Sequence, residues 1–157
     1  MRKTVIVLVM IIFLLGGCQK KSDAQRFSHE FEVSQNNPAH YVQNFDDLLY
    51  QLQHGTHAVL IAEGNGDVNK AVKVLVEEIG KYPGMVIYYY DQVDVKDNLK
   101  QKITELVAFT DYEIKNPVLF MVKEGETIDV LNSWDSAILS ELLESMAKDV
   151  KPGCDDC

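Results

Sequence analysis

Three cysteines carry most of the reactive chemistry in this chain: Cys18, and the pair in Cys154-Asp155-Asp156-Cys157. Two thiols at that spacing can close a disulfide, supply two sulfurs to a soft-metal site, or exchange disulfides with a substrate. Two sulfurs are an incomplete zinc or copper site, so a metal would need another ligand group. Exchange needs a thiolate, and Asp155, Asp156 and a chain-end carboxylate disfavour one by crowding it with negative charge. Three uses therefore stand side by side for Cys154 and Cys157: a local disulfide or free thiols, half of a metal site, or a redox pair.

The remaining candidates are weaker as chemistry. His54 and His57 fall across a helix end, either as surface residues or as nitrogen ligands. Gly64-Asn65-Gly66-Asp67 at a helix start would present backbone N–H groups to an anion, but Asp67 repels phosphate there. Tyr88-Tyr89-Tyr90 sends alternate rings to opposite faces of a strand, for packing or for a binding surface. Trp134 is expected to pack beside the last helix. These patterns require neither a cofactor nor a metal.

The chain has 157 residues, 46% apolar and 25% charged, enough for one domain with a true core and hardly two. Its 15 basic and 24 acidic residues give a charge of −9, which argues against a general grip on nucleic acid or anionic lipid. Three cysteines are too few for a disulfide-built scaffold, so apolar packing must hold the core.

Arg2 and Lys3 precede Val5 to Leu15, 11 consecutive apolar residues, and then Gly16-Gly17-Cys18. A basic start, a short apolar run and small residues fit a secretory leader over residues 1–17 better than a spanning helix, which needs roughly 20 apolar residues. Leu15-Gly16-Gly17-Cys18 resembles the bacterial lipobox, in which the Cys is acylated on sulfur and becomes the new N-terminus. The resemblance implies a lipid on Cys18 and a domain on the extracytoplasmic face of a bacterial membrane. The other reading is an uncleaved anchor in which Cys18 is an ordinary thiol. Dropping Arg2 and Lys3 from the 15 basic residues leaves 13 against 24 acidic ones, a charge of −11. Residues 18–41 are polar without sustained period and read as a lipidated Cys plus a flexible tether of roughly 25 to 30 Å.

From residue 42 the apolar spacing alternates between helix and strand periods. Asn44 can cap a helix with Phe45, Leu48, Leu49 and Leu52 on one face, ended by His54-Gly55. Ala58 to Ala62 reads as a strand buried on both faces. Asp67 is the expected cap of a helix carrying Val68, Ala71, Val72, Leu75, Val76 and Ile79. Met85 to Tyr90 is the next strand, and Val95, Leu99, Ile103, Leu106 and Val107 mark a third helix. Pro117 opens the strand Val118 to Val122, and Lys123-Glu124-Gly125-Glu126 turns it into Thr127 to Leu131 as an antiparallel hairpin. Ile138, Leu139, Leu142, Leu143 and Met146 mark a last helix, with Lys151-Pro152-Gly153 as its stop. The expected order is α, β, α, β, α, β, β, α.

That order, with Asn116-Pro117-Val118-Leu119-Phe120-Met121-Val122-Lys123-Glu124-Gly125-Glu126 at its hairpin, resembles the thioredoxin family. The segment is similar to the family's cis-proline stretch, in which Ile-Pro-Thr leads into an apolar strand and a Lys-Asn-Gly-Glu turn. The likeness covers residues 42–148 and implies an α/β fold of one domain, a central mixed sheet flanked by helices. It implies a cis bond before Pro117. Laying Lys70-Ala71-Val72 and Glu77-Glu78-Ile79 on the family's helix puts Gly66-Asp67-Val68-Asn69 where the Cys-X-X-Cys pair stands. Neither Gly66 nor Asn69 can attack or resolve a disulfide. The family's buried carboxylate is replaced by Leu60 and its Trp by Asn65. No Cys lies between 18 and 154 to restore the site.

The resemblance therefore implies a redox-degenerate, membrane-anchored binding or accessory module, with a groove at Gly66, Asp67, Asn69, Asn116 and Pro117 for a secreted or membrane protein client. The reading leans away from an enzyme. Its alternative is a thiol-disulfide oxidoreductase, or an accessory to disulfide maturation, acting through Cys154 and Cys157 in the tail 149–157.

Overall fold

A computed structural model describes residues 21–91, 97–107, 115–148 and 150. Cys18, Cys154 and Cys157, the leader over residues 1–17 and the stop at Lys151-Pro152-Gly153 lie outside them. So do Val95 and the side chain of Leu99. No helix among the described residues is long and apolar enough to cross a membrane.

The chain forms α1 (Asp23–Phe31), β1 (Ala39–Tyr41), α2 (Phe45–Gln51), β2 (His57–Ala62) and α3 (Gly66–Ile79). It continues with β3 (Ile87–Asp91), α4 (Asp97–Leu106), β4 (Val118–Lys123), β5 (Glu126–Leu131) and α5 (Ser136–Ala147). The five strands make one mixed sheet in the order β1-β3-β2-β4-β5. β1, β3 and β2 run parallel, and β4 and β5 continue the sheet antiparallel.

β2 lies at the centre of this sheet and is buried along its whole length. Ala58, Leu60 and Ala62 face one layer with Leu119, Met121, Ile87 and Tyr89, under α1, α3 and α5. Val59 and Ile61 face the other with Val118, Phe120 and Val122, under α2 and α4. This is the period of two expected of a strand with helices on both sides. The β4–β5 turn requires its glycine: Gly125 has φ +83°, and a Cβ there would come within 2.5 Å of the Gln53 carbonyl oxygen.

Within the expected tether 18–41, the described residues 21–41 differ most from the sequence expectation. From Ser22 onward they are part of the domain, adding a helix and a strand ahead of the expected first element. Phe27 and Phe31 of α1 are wholly buried, with ring centroids 5.4 and 5.1 Å from Tyr89. β1 pairs with β3 from Ala39↔Ile87 to Tyr41↔Tyr89. The local signals are short but present. Ser22 and Gln25 form a reciprocal capping box, and Ala24, Phe27 and Phe31 recur at helical spacing.

Smaller boundaries also move: α2 ends at Gln51 with Leu52 as C-cap, ahead of the expected stop at His54-Gly55, and β3 covers Ile87–Asp91 in place of Met85 to Tyr90. Asn65, not Asp67, caps α3, because its Oδ1 accepts from the amides of Asp67 at 3.2 Å and Val68 at 3.1 Å. α5 ends at Ala147 with Lys148 as C-cap, ahead of the expected stop. The remaining framework agrees with the spacing. Asn44 caps α2 as expected, and the Asn116–Pro117 bond is cis, as the resemblance implies.

Candidate functional site

The antiparallel register of β2 and β4 ends with Ile61 opposite Val118, which brings the exit of β2 against the residues that lead into β4. Asn116 closes that end. Glu63 N–H donates to Asn116 Oδ1 at 2.9 Å, and Asn116 Nδ2 donates to the Glu63 carbonyl at 3.0 Å. A side-chain amide thus completes both backbone groups of Glu63, as a neighbouring strand would. Asn132 Nδ2 donates to the Pro117 carbonyl at 3.4 Å from the end of β5.

Glu63 leads through Gly64 and Asn65 into the first turn of α3, so the Gly66 loop and Pro117 stand at the same pole of the sheet. Gly66 is exposed, with no atom within 4 Å of where a Cβ would be. Asp67 pairs with Lys70 at 3.2 Å, but both side chains are solvated and the pair adds little. Asn69 is half-buried, and its Oδ1 has no hydrogen-bond partner among the described residues. Trp134 packs against α3 rather than α5 alone: its Nε1 donates to the Ala71 carbonyl at 2.9 Å. The sequence-derived set Gly66, Asp67, Asn69, Asn116 and Pro117 is therefore gathered at one end of the fold.

One neighbour of this pole escaped the sequence reading. Glu30, on the last turn of α1, accepts from the Tyr41 hydroxyl at 2.6 Å and from the Tyr89 hydroxyl. Tyr89 also reaches the Ala62 carbonyl at 3.0 Å. Burial, reinforced by the Glu30 carboxylate, pushes both phenols well above the usual tyrosine range, so they act as hydrogen-bond donors and not as bases. A Cβ on Gly64 would lie 3.2 Å from both Glu30 Cγ and the Glu30 carbonyl oxygen. The end of α1 thus braces the loop that enters α3.

The two histidines separate. His54 is exposed, stacked on Tyr50 at 4.0 Å, with Nδ1 donating to the Tyr50 carbonyl at 2.9 Å. His57 is buried, with Nε2 donating to the Gln51 carbonyl at 2.8 Å and its ring edge-on to Tyr88 at 4.6 Å. Burial holds the His57 pKa below its ordinary value, partly opposed by the Gln51 hydrogen bond. Among the described residues, no group of three or more His, Cys, Asp or Glu is arranged to hold a metal ion. Of the three tyrosines in β3, Tyr89 and Tyr90 are buried and Tyr88 half-buried, so they serve packing first.

Val150 marks where the chain leaves the described structure before Cys154. It lies against Gly84, where a Cβ would come within 2.9 Å of Val150 Cγ1. Gly84 follows the C-terminal end of α3, whose 14 residues rise about 21 Å from the Gly66 pole at 1.5 Å per residue. The chain therefore leaves the described structure beside the far end of α3 from Gly66 and Pro117.

No known family model and no curated protein matches this chain.

Proposed function

We propose that this protein is a lipid-anchored, extracytoplasmic module of thioredoxin-like fold that has lost the disulfide chemistry of that fold and kept its surface for an extended peptide. The observation that carries the reading is the Asn116–Glu63 pairing, which joins the proline segment at the mouth of β4 to a helix start that holds no sulfur. The strand order β1-β3-β2-β4-β5, with helices on both faces, supports the same fold.

At such a pole a client is held by backbone pairing beside Pro117, with α3's first turn as the opposite wall. Selectivity then rests on Gly66, which leaves space, and on Asp67 and Asn69. No residue of the loop supplies a nucleophile or a resolving thiol. Lipid on Cys18 would hold the module at the membrane where secreted and membrane proteins emerge.

A second reading, a thiol-disulfide oxidoreductase or disulfide-maturation accessory, rests on the spacing of Cys154 and Cys157 alone. The placement of Val150 beside Gly84 weighs against a shared site with Pro117.

The test is to titrate the ¹⁵N-labelled protein with a panel of extended peptides and map the amide shifts. The reading expects shifts concentrated at Gly66, Asp67, Asn69 and Asn116, and their loss in Gly66→Arg, which fills the open space beside the loop. Shifts scattered over other surfaces, or unchanged in that variant, would contradict it.

A further inference from the structure

In and just before α1, Asp23 and Glu30 are half-buried, whereas Lys21, Arg26 and His29 are exposed, Arg26 with its guanidinium 3.9 Å over the Tyr41 ring. Asp23 Oδ2 accepts from the Tyr41 backbone N–H at 3.1 Å, and Glu30 is taken up by the two tyrosine hydroxyls. From residue 21 to Phe31 the exposed residues are Lys21, Ser22, Gln25, Arg26 and His29, and the first exposed acid is the C-cap Glu32. Lys21, Gln25 and His29 recur four apart along one ridge and, with Ser28 and Gln35, line a polar hollow of about 430 Å³. In a chain of net charge −9 this face is an exception.

Its position is the second observation. Cys18 precedes the Ser22 cap by four residues, so a lipid on that sulfur lies within at most about 14 Å of chain from the start of α1. Because Ser22 is fixed by the capping box, the reach is set by those few residues and not by a long coil. The start of α1 then stays close to the bilayer.

We propose that the Lys21–Arg26–His29 face of α1 is a docking surface for the anionic bilayer in which Cys18 is anchored. This rests on the lipoprotein reading and adds an orientation to it. Lys21 and Arg26 offer cationic hydrogen-bond donors to lipid phosphates, each strengthening contact about fivefold near an anionic surface. The overall acidity excludes a general grip on such lipid but helps select this pose, since the same surface repels the acidic remainder of the domain. The last turn of α1 braces Gly64, so docking brings the pole of Gly66 and Pro117 close to the membrane.

The acylated full chain, in vesicles of phosphatidylglycerol and phosphatidylcholine containing headgroup-quencher lipid, tests this directly. In a Cys154→Ser, Cys157→Ser background, one fluorophore is attached through Gln35→Cys beside the hollow or Gln101→Cys on α4, across the sheet. The expected result is strong quenching at position 35 and little at 101. That contrast should be lost in pure phosphatidylcholine, in salt of about 0.5 M, which shortens the screening length to a few ångströms, and in Lys21→Glu, Arg26→Glu. Equal quenching at both positions in chains that float with the vesicles overturns the docking surface and leaves the anchor intact. A contrast unmoved by lipid charge, salt and charge reversal overturns it as well. Failure of the chain carrying Cys18 to float overturns the anchor, and the docking surface with it.

Discussion

Asn116 is bound to Glu63 by two hydrogen bonds, 2.9 Å from the Glu63 amide to Oδ1 and 3.0 Å from Nδ2 to the Glu63 carbonyl. The pairing spans 53 residues of sequence and fixes the loop ahead of α3 against the cis proline. Asn116→Ala removes both bonds and should lower stability by about 1 to 2 kcal/mol, since each contributes about 0.5 to 1.5 kcal/mol net and the site is solvent-exposed. Asn116→Asp keeps an acceptor for the Glu63 amide but sets a carboxylate oxygen against its carbonyl, so it should not restore the loss. Urea midpoints of the three proteins check this; an unchanged midpoint in Asn116→Ala would show that the clamp does not hold the loop.

The burial of α1 makes a sharper claim on stability. Phe31 packs at 4.7 Å from Phe27 and edge-on to Tyr89, fully shielded from water. Phe31→Ala should cost about 3 to 5 kcal/mol, as for other buried aromatics cut back to a methyl group. A flexible tether would lose almost nothing at this position. Chemical denaturation monitored by circular dichroism separates the two outcomes.

His57 gives the fold a pH dependence of known sign. Its folded pKa lies below the ordinary value of 6.5, so the unfolded chain binds the proton more readily. The stability from a neutral, buried His57 is therefore complete above about pH 6.5 and is lost progressively as pH falls through that range toward the folded value. His57→Gln should flatten the fall in unfolding free energy between pH 7.5 and 5 relative to the parent chain. Equal slopes in the two proteins would remove His57 from the account.

The legible part of the sequence is the part with sustained period. β2, α3 and β4 read correctly because long apolar runs and helical spacings average over many residues, and Pro117 is a strong punctuator. Ser22 to Tyr41 reads as a tether because its helix has only nine residues and its strand three, too short for periodicity to stand out. The clue lay instead in Ser22 and Gln25 three apart and in Phe27 and Phe31 four apart. Asp67 reads as the cap and Asn65 takes that place, because either side chain can cap a helix and the extended backbone at Asn65 decides between them. Glu30 could not be assigned from sequence at all. Its partners Tyr41 and Tyr89 lie 11 and 59 residues away and meet it only through the β1–β3 pairing.

The central claim is that the pole of Gly66 and Pro117 works without disulfide chemistry and that Cys154 and Cys157 do not supply it. Insulin reduction with dithiothreitol as electron donor tests this most directly, comparing the full chain with a Cys154→Ala, Cys157→Ala double variant. The account predicts that neither protein accelerates insulin precipitation beyond dithiothreitol alone. Acceleration by the parent chain that disappears in the double variant would contradict it and make the cysteine pair the working site.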